Sequence, residues 1–213
     1  MIKMFITFEG LDASGKTSAI QGLKTHLLAN YPNLEFIFTR EPGGNNLVVA
    51  EKIRDLILDT QNNIDPFSEA LLYLTGRNIH IEQVIKPALA AKKVIICDRY
   101  IDSSIVYQGH ARNLGMAKIE QLNLMVAGNV LPKYTFYFAV EPQTAWKRLQ
   151  AQASSPDRLE KEGLAFFERV LEGYQYLLQR DKERFIIIDA NQSPELVLKA
   201  VKANFDKILQ QII

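Results

Sequence analysis

The sequence predicts an α/β fold built on a parallel sheet. Two observations predict it: five short, almost uninterrupted apolar runs, and longer stretches between them with apolar residues three and four positions apart. A strand covered by helices on both faces loses the in–out alternation of a half-exposed strand and reads as a continuous apolar run. Strands that alternate with helical segments join through right-handed crossovers into one parallel sheet. A length of 213 residues suits one well-buried domain, 1–213.

The first run, "MFITFE" (4–9), stops abruptly at Glu9 and leads into "GLDASGKT", Gly10 to Thr17, which fits G-x-x-x-x-G-K-[ST]. The motif follows a strand and opens a helix, the context it requires. Its glycines let the backbone curl so that several N–H groups converge on a phosphate, and the helix N-terminus adds partial positive charge. Gly10, Leu11, Asp12, Ala13, Ser14, Gly15, Lys16, Thr17 and Ser18 are the expected nucleotide-binding residues. Lys16 is placed to reach the terminal phosphates of a nucleoside triphosphate, and Thr17 to ligate Mg²⁺. The fold expectation sharpens accordingly to a P-loop NTPase-type three-layer α/β fold, a five-stranded parallel sheet flanked by helices. No guanine-reading N-K-x-D motif accompanies the loop, which argues against a switch GTPase.

The second run, "EFIFTR" (35–40), ends on Arg40–Glu41, and "EPGG" makes a tight turn that admits a cis Glu41–Pro42 bond. "DPF" marks a helix start, with Asp65 as N-cap and Pro66 at the first helical position. That helix carries Leu71, Leu74, Ile81 and Ile85 at apolar spacing. It also places Tyr73 and Arg77 on one face, a ring and a guanidinium suited to a planar base, although an aromatic on a helix usually packs in the core. The third run, "KVIICD" (93–98), holds the single cysteine, Cys97, read as a small buried hydrophobe, and is followed by Arg99. The fourth is "TFYFAV" (135–140). "AQASSPDR" (151–158) reads as a mobile loop on one domain, "FIIIDA" (185–190) as the last strand, and "SPEL" at Ser193 as the start of the last helix.

In an open parallel sheet, ligands bind at the carboxyl ends of strands. Arg40 and Glu41 on one strand and Asp98 and Arg99 on another are therefore expected to face the loop. Asp98 is the expected Mg²⁺ acid. An arginine beside it suggests a second phosphate close to the first, as phosphoryl transfer between two nucleotides requires, since guanidinium clamps phosphate with paired hydrogen bonds. The bland alternative for each arginine is a structural salt bridge. The net charge of +1, from 25 basic and 24 acidic side chains, lacks the basic excess of a nucleic-acid-coating protein. The N-terminus reads as neither a signal peptide nor a membrane span, and a cytoplasmic protein with no membrane contact is expected.

"FEGLDASGKT", "TREPGG", "LLYLTGR", "DRYIDSSIVYQG" and "DRLEKE…FFERVLEGY", collinear through nearly the whole chain, together resemble thymidylate kinase of the bacterial type, among the P-loop nucleoside monophosphate kinases. The resemblance implies the reaction ATP + dTMP → ADP + dTDP with Mg²⁺, a step in dTTP supply, in a homodimer with a lid at about 148–160. It implies that Asp12 holds the acceptor's sugar 3′-hydroxyl and Tyr73 stacks on thymine. Arg77 hydrogen-bonds the base, while Ser103, Ser104 and Gln108 belong to the acceptor site. Tyr107 lies where a ribose 2′-hydroxyl is blocked. Arg40, Arg54 and Arg99 surround the acceptor phosphate, and Glu41 and Asp98 lie near the reacting groups and the metal.

One departure matters. The phosphate loop carries Asp-Ala-Ser and no arginine, so the catalytic arginine is expected from the lid, where Gln150 and Gln152 stand in a stretch often rich in arginine. Arg148 and Arg158 remain, and Arg158 is the expected lid cation, which makes the catalytic set Lys16, Glu41, Arg99 and Arg158. The competing readings are another nucleoside monophosphate or deoxynucleoside kinase on the same fold, and a P-loop regulatory NTPase that makes no nucleotide product.

Overall fold

The computed structural model describes residues 4–44, 47–152, 158 and 162–211. Its centre is a five-stranded sheet of β1 (Met4–Gly10), β2 (Phe36–Arg40), β3 (Val94–Asp98), β4 (Tyr134–Ala139) and β5 (Phe185–Asp189), in the order β2-β3-β1-β4-β5, with every pair parallel. All five expected strands are present, each within a residue of its expected ends. β1 is buried along its whole length, which explains its unbroken apolar run: Phe5 joins Ile95, Cys97, Ile81 and Ile85 in one cluster, and Ile6 and Phe8 join a second, larger one. Successive strand residues point to opposite faces, so both faces of the sheet are core.

The helices are α1 (Lys16–Asn30), α2 (Val48–Leu58), α3 (Pro66–His80), α4 (Lys86–Ala90), α5 (Ile101–Ser104), α6 (Met116–Ala127), α7 (Pro142–Gln152), α8 (Leu164–Arg180) and α9 (Pro194–Gln210). Asp65 caps α3, accepting from the amides of Phe67 and Ser68 at 3.0 Å each, and Pro66 occupies the first turn. Ser193 caps α9. Leu23 and Leu27 of α1 and Val201 and Phe205 of α9 pack on the Ile6–Phe8 face. Leu74, Ile81 and Ile85 are buried as expected, but Leu71 is exposed, because α3 turns Ala70, Leu74 and Arg77 inward and Leu71 lies about 100° round the helix from Ala70. Two π-helical segments, Ile81–Ile85 and Ile105–Ala111, continue α3 and α5; nothing in the apolar spacing distinguishes them from α-helix. Such widened turns are frequent at functional sites, and the second carries Tyr107 and Gln108.

Most of the expected lid lies outside the described residues; α7 and Arg158 lie within them. Among the described residues no helix is long and apolar enough to cross a membrane.

Candidate active site

The carboxyl ends of β1, β2 and β3 are in register, with Phe8 and Arg40 both opposite Asp98. From that edge open two pockets. One, of about 700 Å³, is floored by Asp12 to Thr17 of the loop and also bounded by Arg40, Asp98, Arg148 and Gln192. The other, of about 110 Å³, is lined by Tyr73, Arg77, Ser103, Ser104, Tyr107 and Gln108, with Pro42, Leu58 and Tyr100 completing the wall. Asp12, Glu41, Arg54 and Arg99 line both. The partition between the pockets is thus made of two carboxylates and two guanidiniums.

The loop adopts the backbone that its sequence permits: Gly15 precedes α1 at φ 89°, and Ala13 also has a positive φ of 56°. Lys16 is buried, and its Nζ donates to the carbonyls of Leu11 (2.7 Å) and Gly10 (3.2 Å) and to Ser14 Oγ (3.3 Å). Burial, then the neighbouring Arg99 charge, lowers its ammonium to about 8, against the pull of Asp98, Asp12 and Glu9. Thr17 Oγ1 donates to Asp98 Oδ2 at 3.2 Å. Asp98 Oδ1 is buried with no hydrogen-bond partner among the described residues. A hydroxyl and a carboxylate with an unpaired oxygen, both facing a phosphate loop, fit a Mg²⁺ ion, which takes one or two protein oxygens and completes its shell from phosphates and water.

Arg99 connects the loop to the second pocket. It has φ 67°, unusual outside glycine. Its NH1 donates to Gly10 O (2.9 Å) and Ser103 Oγ (3.0 Å), and its NH2 to Asp12 Oδ1 (2.6 Å) and Tyr107 OH (3.2 Å). Its guanidinium lies 5.0 Å from the Tyr107 ring centre. The Tyr107 hydroxyl donates to Asp12 Oδ2 at 3.1 Å. Burial pushes the Asp12 carboxyl up, but the charges of Arg99 and Lys16 and its two hydrogen bonds hold it below the usual carboxylate range. The acid inside the anion-binding loop is therefore an ionised partner of Arg99.

On the far wall Arg77 is buried. Its Nε donates to Glu41 Oε2 (2.7 Å), NH1 to Ser104 Oγ (2.9 Å) and Asn123 Oδ1, and NH2 to Tyr100 O (3.0 Å). The other Glu41 oxygen meets His80 Nδ1 at 2.9 Å, and His80 Nε2 meets Thr39 Oγ1 at 2.7 Å. His80 is fully buried. Tyr73 is half-buried, and burial, then the Glu69 charge, raises its hydroxyl far above the ordinary value. Arg40 pairs with Glu51 at 2.8 Å and donates to Pro42 O at 2.6 Å across the turn, where the Glu41–Pro42 bond is cis.

The structure thus gathers every expected acceptor-site residue except Arg40 around the smaller pocket, and Arg40 faces the larger one. Arg158 lies elsewhere. It donates to Ile57 O at 2.8 Å and pairs with the buried Glu69, which also accepts from Gln108 (2.9 Å) and Arg112 (3.3 Å). Neither pocket includes Arg158 in its wall, whereas Arg148 lines the larger one and donates to Ala190 O at 2.9 Å. Gln150 is exposed; the side chain of Gln152 lies outside the described residues. Sequence reasoning missed His80, Glu69 and Asn123. His80 is three residues after Arg77, a helical neighbour, and that spacing was the available signal. Asn123 sits on α6 with no local signature.

A phosphate loop, a carboxylate beside its threonine and a second arginine-walled pocket sharing its partition define the class: a P-loop phosphotransferase. The thymidylate kinase family model matches residues 8–201, and the chain belongs to the thymidylate kinase family. It is 42% identical to the thymidylate kinase of Mycoplasma mobile over 98% of this chain and all of that protein. It is 46% identical to that of Mycoplasmopsis agalactiae over 95% of this chain and 94% of the relative, and 41% identical to that of Bacillus velezensis over 100% and 99%. A solved thymidylate kinase from Ehrlichia chaffeensis superposes with a TM-score of 0.77 at 32% identity, covering 99% of this chain and 100% of the other. Its reaction is that of the family, phosphorylation of dTMP to dTDP.

Proposed function

We propose that the chain transfers the γ-phosphoryl of ATP in line to the 5′-phosphate of dTMP, in the cytoplasm and as a homodimer. The observation that carries this reading is the shared partition: Asp12, Glu41, Arg54 and Arg99 border both pockets, so donor and acceptor phosphates meet there. The acceptor oxygen is already anionic, so no strong base is needed, and catalysis rests on positioning and charge stabilisation. The loop amides and Lys16 hold the donor phosphates. Thr17 and Asp98 hold Mg²⁺, which when bound neutralises phosphate charge. Arg99, with Arg40 and Arg54, offsets the repulsion between the two phosphates.

Tyr73 stacks on thymine, and Arg77, Ser104 and Gln108 read its edge, with Ser103 completing the wall. Asp12 accepts the sugar 3′-hydroxyl, and Tyr107 fills the space of a 2′-hydroxyl. Glu41, fixed from behind by Arg77 and His80, faces the reacting groups. A lid at about 148–160 closes over the donor and limits hydrolysis. Supply of Arg158 to the transferring phosphoryl requires it to leave Glu69, while Arg148 already lines the donor pocket. Large exposed apolar side chains on the neighbouring helices α2, α3 and α6, including Val49, Leu71 and Met125, support the dimer.

Coupled measurement of ADP production with ATP and dTMP, dUMP, UMP or AMP tests the reading. dTMP is expected to be preferred, with dUMP a poorer acceptor by the roughly 1–3 kcal/mol that a methyl group contributes. ATP turnover indifferent to dTMP would refute it.

A further inference from the structure

Glu9, the penultimate residue of β1, lies beneath the active-site edge, lines neither pocket and is fully buried. Burying a carboxyl is costly unless its oxygens are satisfied. Here they are satisfied by a particular set of donors. Oε1 accepts the Tyr100 amide at 2.8 Å; Oε2 accepts the hydroxyls of Ser103 at 2.6 Å and Tyr174 at 2.8 Å. Tyr100 immediately follows Arg99. Ser103 accepts from Arg99 NH1 at 3.0 Å, and Tyr174 OH lies 3.2 Å from Ser103 Oγ. Every donor to Glu9 therefore belongs to the segment that carries Arg99 or touches it.

The backbone gives an independent reason for such an anchor. Arg99 adopts φ 67° without being glycine, a conformation that persists only when its surroundings over-determine it. Its amide is held by Phe8 O at 2.9 Å, and the next amide by the side chain of Glu9. Two consecutive residues of β1 thus pin two consecutive amides of the turn, while Ser103 passes the constraint on to the guanidinium.

We propose that Glu9 is a positioning residue for the acceptor-phosphate clamp: it fixes Arg99 through the Tyr100 amide and the Ser103 hydroxyl, without touching either nucleotide. This rests on the reading that Arg99 holds the acceptor phosphate. A residue acting through Arg99 weakens ligands with a 5′-phosphate far more than those that share only the sugar and base.

The test compares dissociation constants for dTMP and thymidine, by calorimetry, with kcat and KM in Glu9→Gln, Arg99→Ala and the double variant. Glu9→Gln is expected to weaken dTMP at least tenfold and thymidine less than twofold, and to add less than twofold when Arg99 is already alanine. Equal loss for both ligands, or an undiminished effect in the Arg99→Ala background, overturns the proposal, as does an unchanged dTMP affinity. If Arg99→Ala itself leaves the dTMP-to-thymidine ratio unaltered, the reading of Arg99 fails and the proposal with it. Tyr174→Phe, which removes one donor to Glu9 and leaves both pocket walls intact, serves if Glu9→Gln does not fold. It is expected to act in the same direction with a smaller amplitude, and loss of thymidine affinity in parallel overturns the proposal.

Discussion

Arg77→Ala probes how far a pocket-lining residue also supports the fold. Arg77 is 2% exposed, and four of its five N–H groups are engaged within the described protein, by Glu41, Ser104, Asn123 and Tyr100 O. One NH2 hydrogen remains for the pocket that it lines. Truncation leaves the buried Glu41 with His80 alone and strips a donor from each of the buried oxygens of Asn123, Ser104 and Tyr100. Breaking a buried, hydrogen-bonded ion pair costs about 3–5 kcal/mol. For a chain of 213 residues, melting temperature moves about 2 °C per kcal/mol, so a fall of roughly 6–10 °C is expected. Losing a charged hydrogen bond to the base costs a further ~1.5–3 kcal/mol of dTMP binding, about 10–100-fold. Calorimetric melting together with steady-state kinetics reads both effects. A raised KM for dTMP at an unaltered melting temperature would show that the Glu41–Arg77 pair does not brace the wall, and would refute the reasoning.

Two further predictions concern charge. If Arg158 is the lid cation, Arg158→Ala is expected to lower kcat at least tenfold; an unchanged kcat with a raised dTMP KM would leave Arg158 as a brace behind the wall, acting on Gln108 through Glu69, and transfer the role to Arg148, tested by Arg148→Ala. Burial, reinforced by the Asp102 charge and opposed by Arg99, pushes the Glu9 carboxyl from 4.5 up to about 7. The folded chain keeps a proton that the unfolded chain releases, so this contribution to stability is full below about pH 4.5 and is lost as pH rises to about 7, by up to ~3 kcal/mol. Denaturant unfolding across that range should show wild type losing stability relative to Glu9→Gln; a pH-independent difference would mean that Glu9 keeps one charge state throughout.

The strands, the phosphate loop and the helix caps were legible because each is encoded locally. An unbroken apolar run needs two covered faces, Gly10 through Thr17 carries its own backbone preferences, and Asp65-Pro66 and Ser193-Pro194 stop and start helices within a few residues. Arg40, Glu41, Asp98 and Arg99 were legible one step further, since a parallel sheet brings the ends of its strands to one edge. What those side chains bind to was not. Glu9, His80 and Glu69 read as unremarkable acids and a helical histidine until tertiary packing buried them. Burial then forced each to find partners: Glu9 the Tyr100 amide and the Ser103 and Tyr174 hydroxyls beside Arg99, His80 the Glu41 carboxylate, and Glu69 the side chains of Gln108, Arg112 and Arg158. Sequence by itself determined the chain's sheet, its phosphate loop and, through motif resemblance, its expected chemistry, because those depend on neighbours a few residues apart or on the collinear order of motifs along the chain. Only the tertiary structure decided which charges share a partition and which are braced from behind, because a buried charge is positioned by whatever reaches it within about 3 Å, irrespective of distance along the chain.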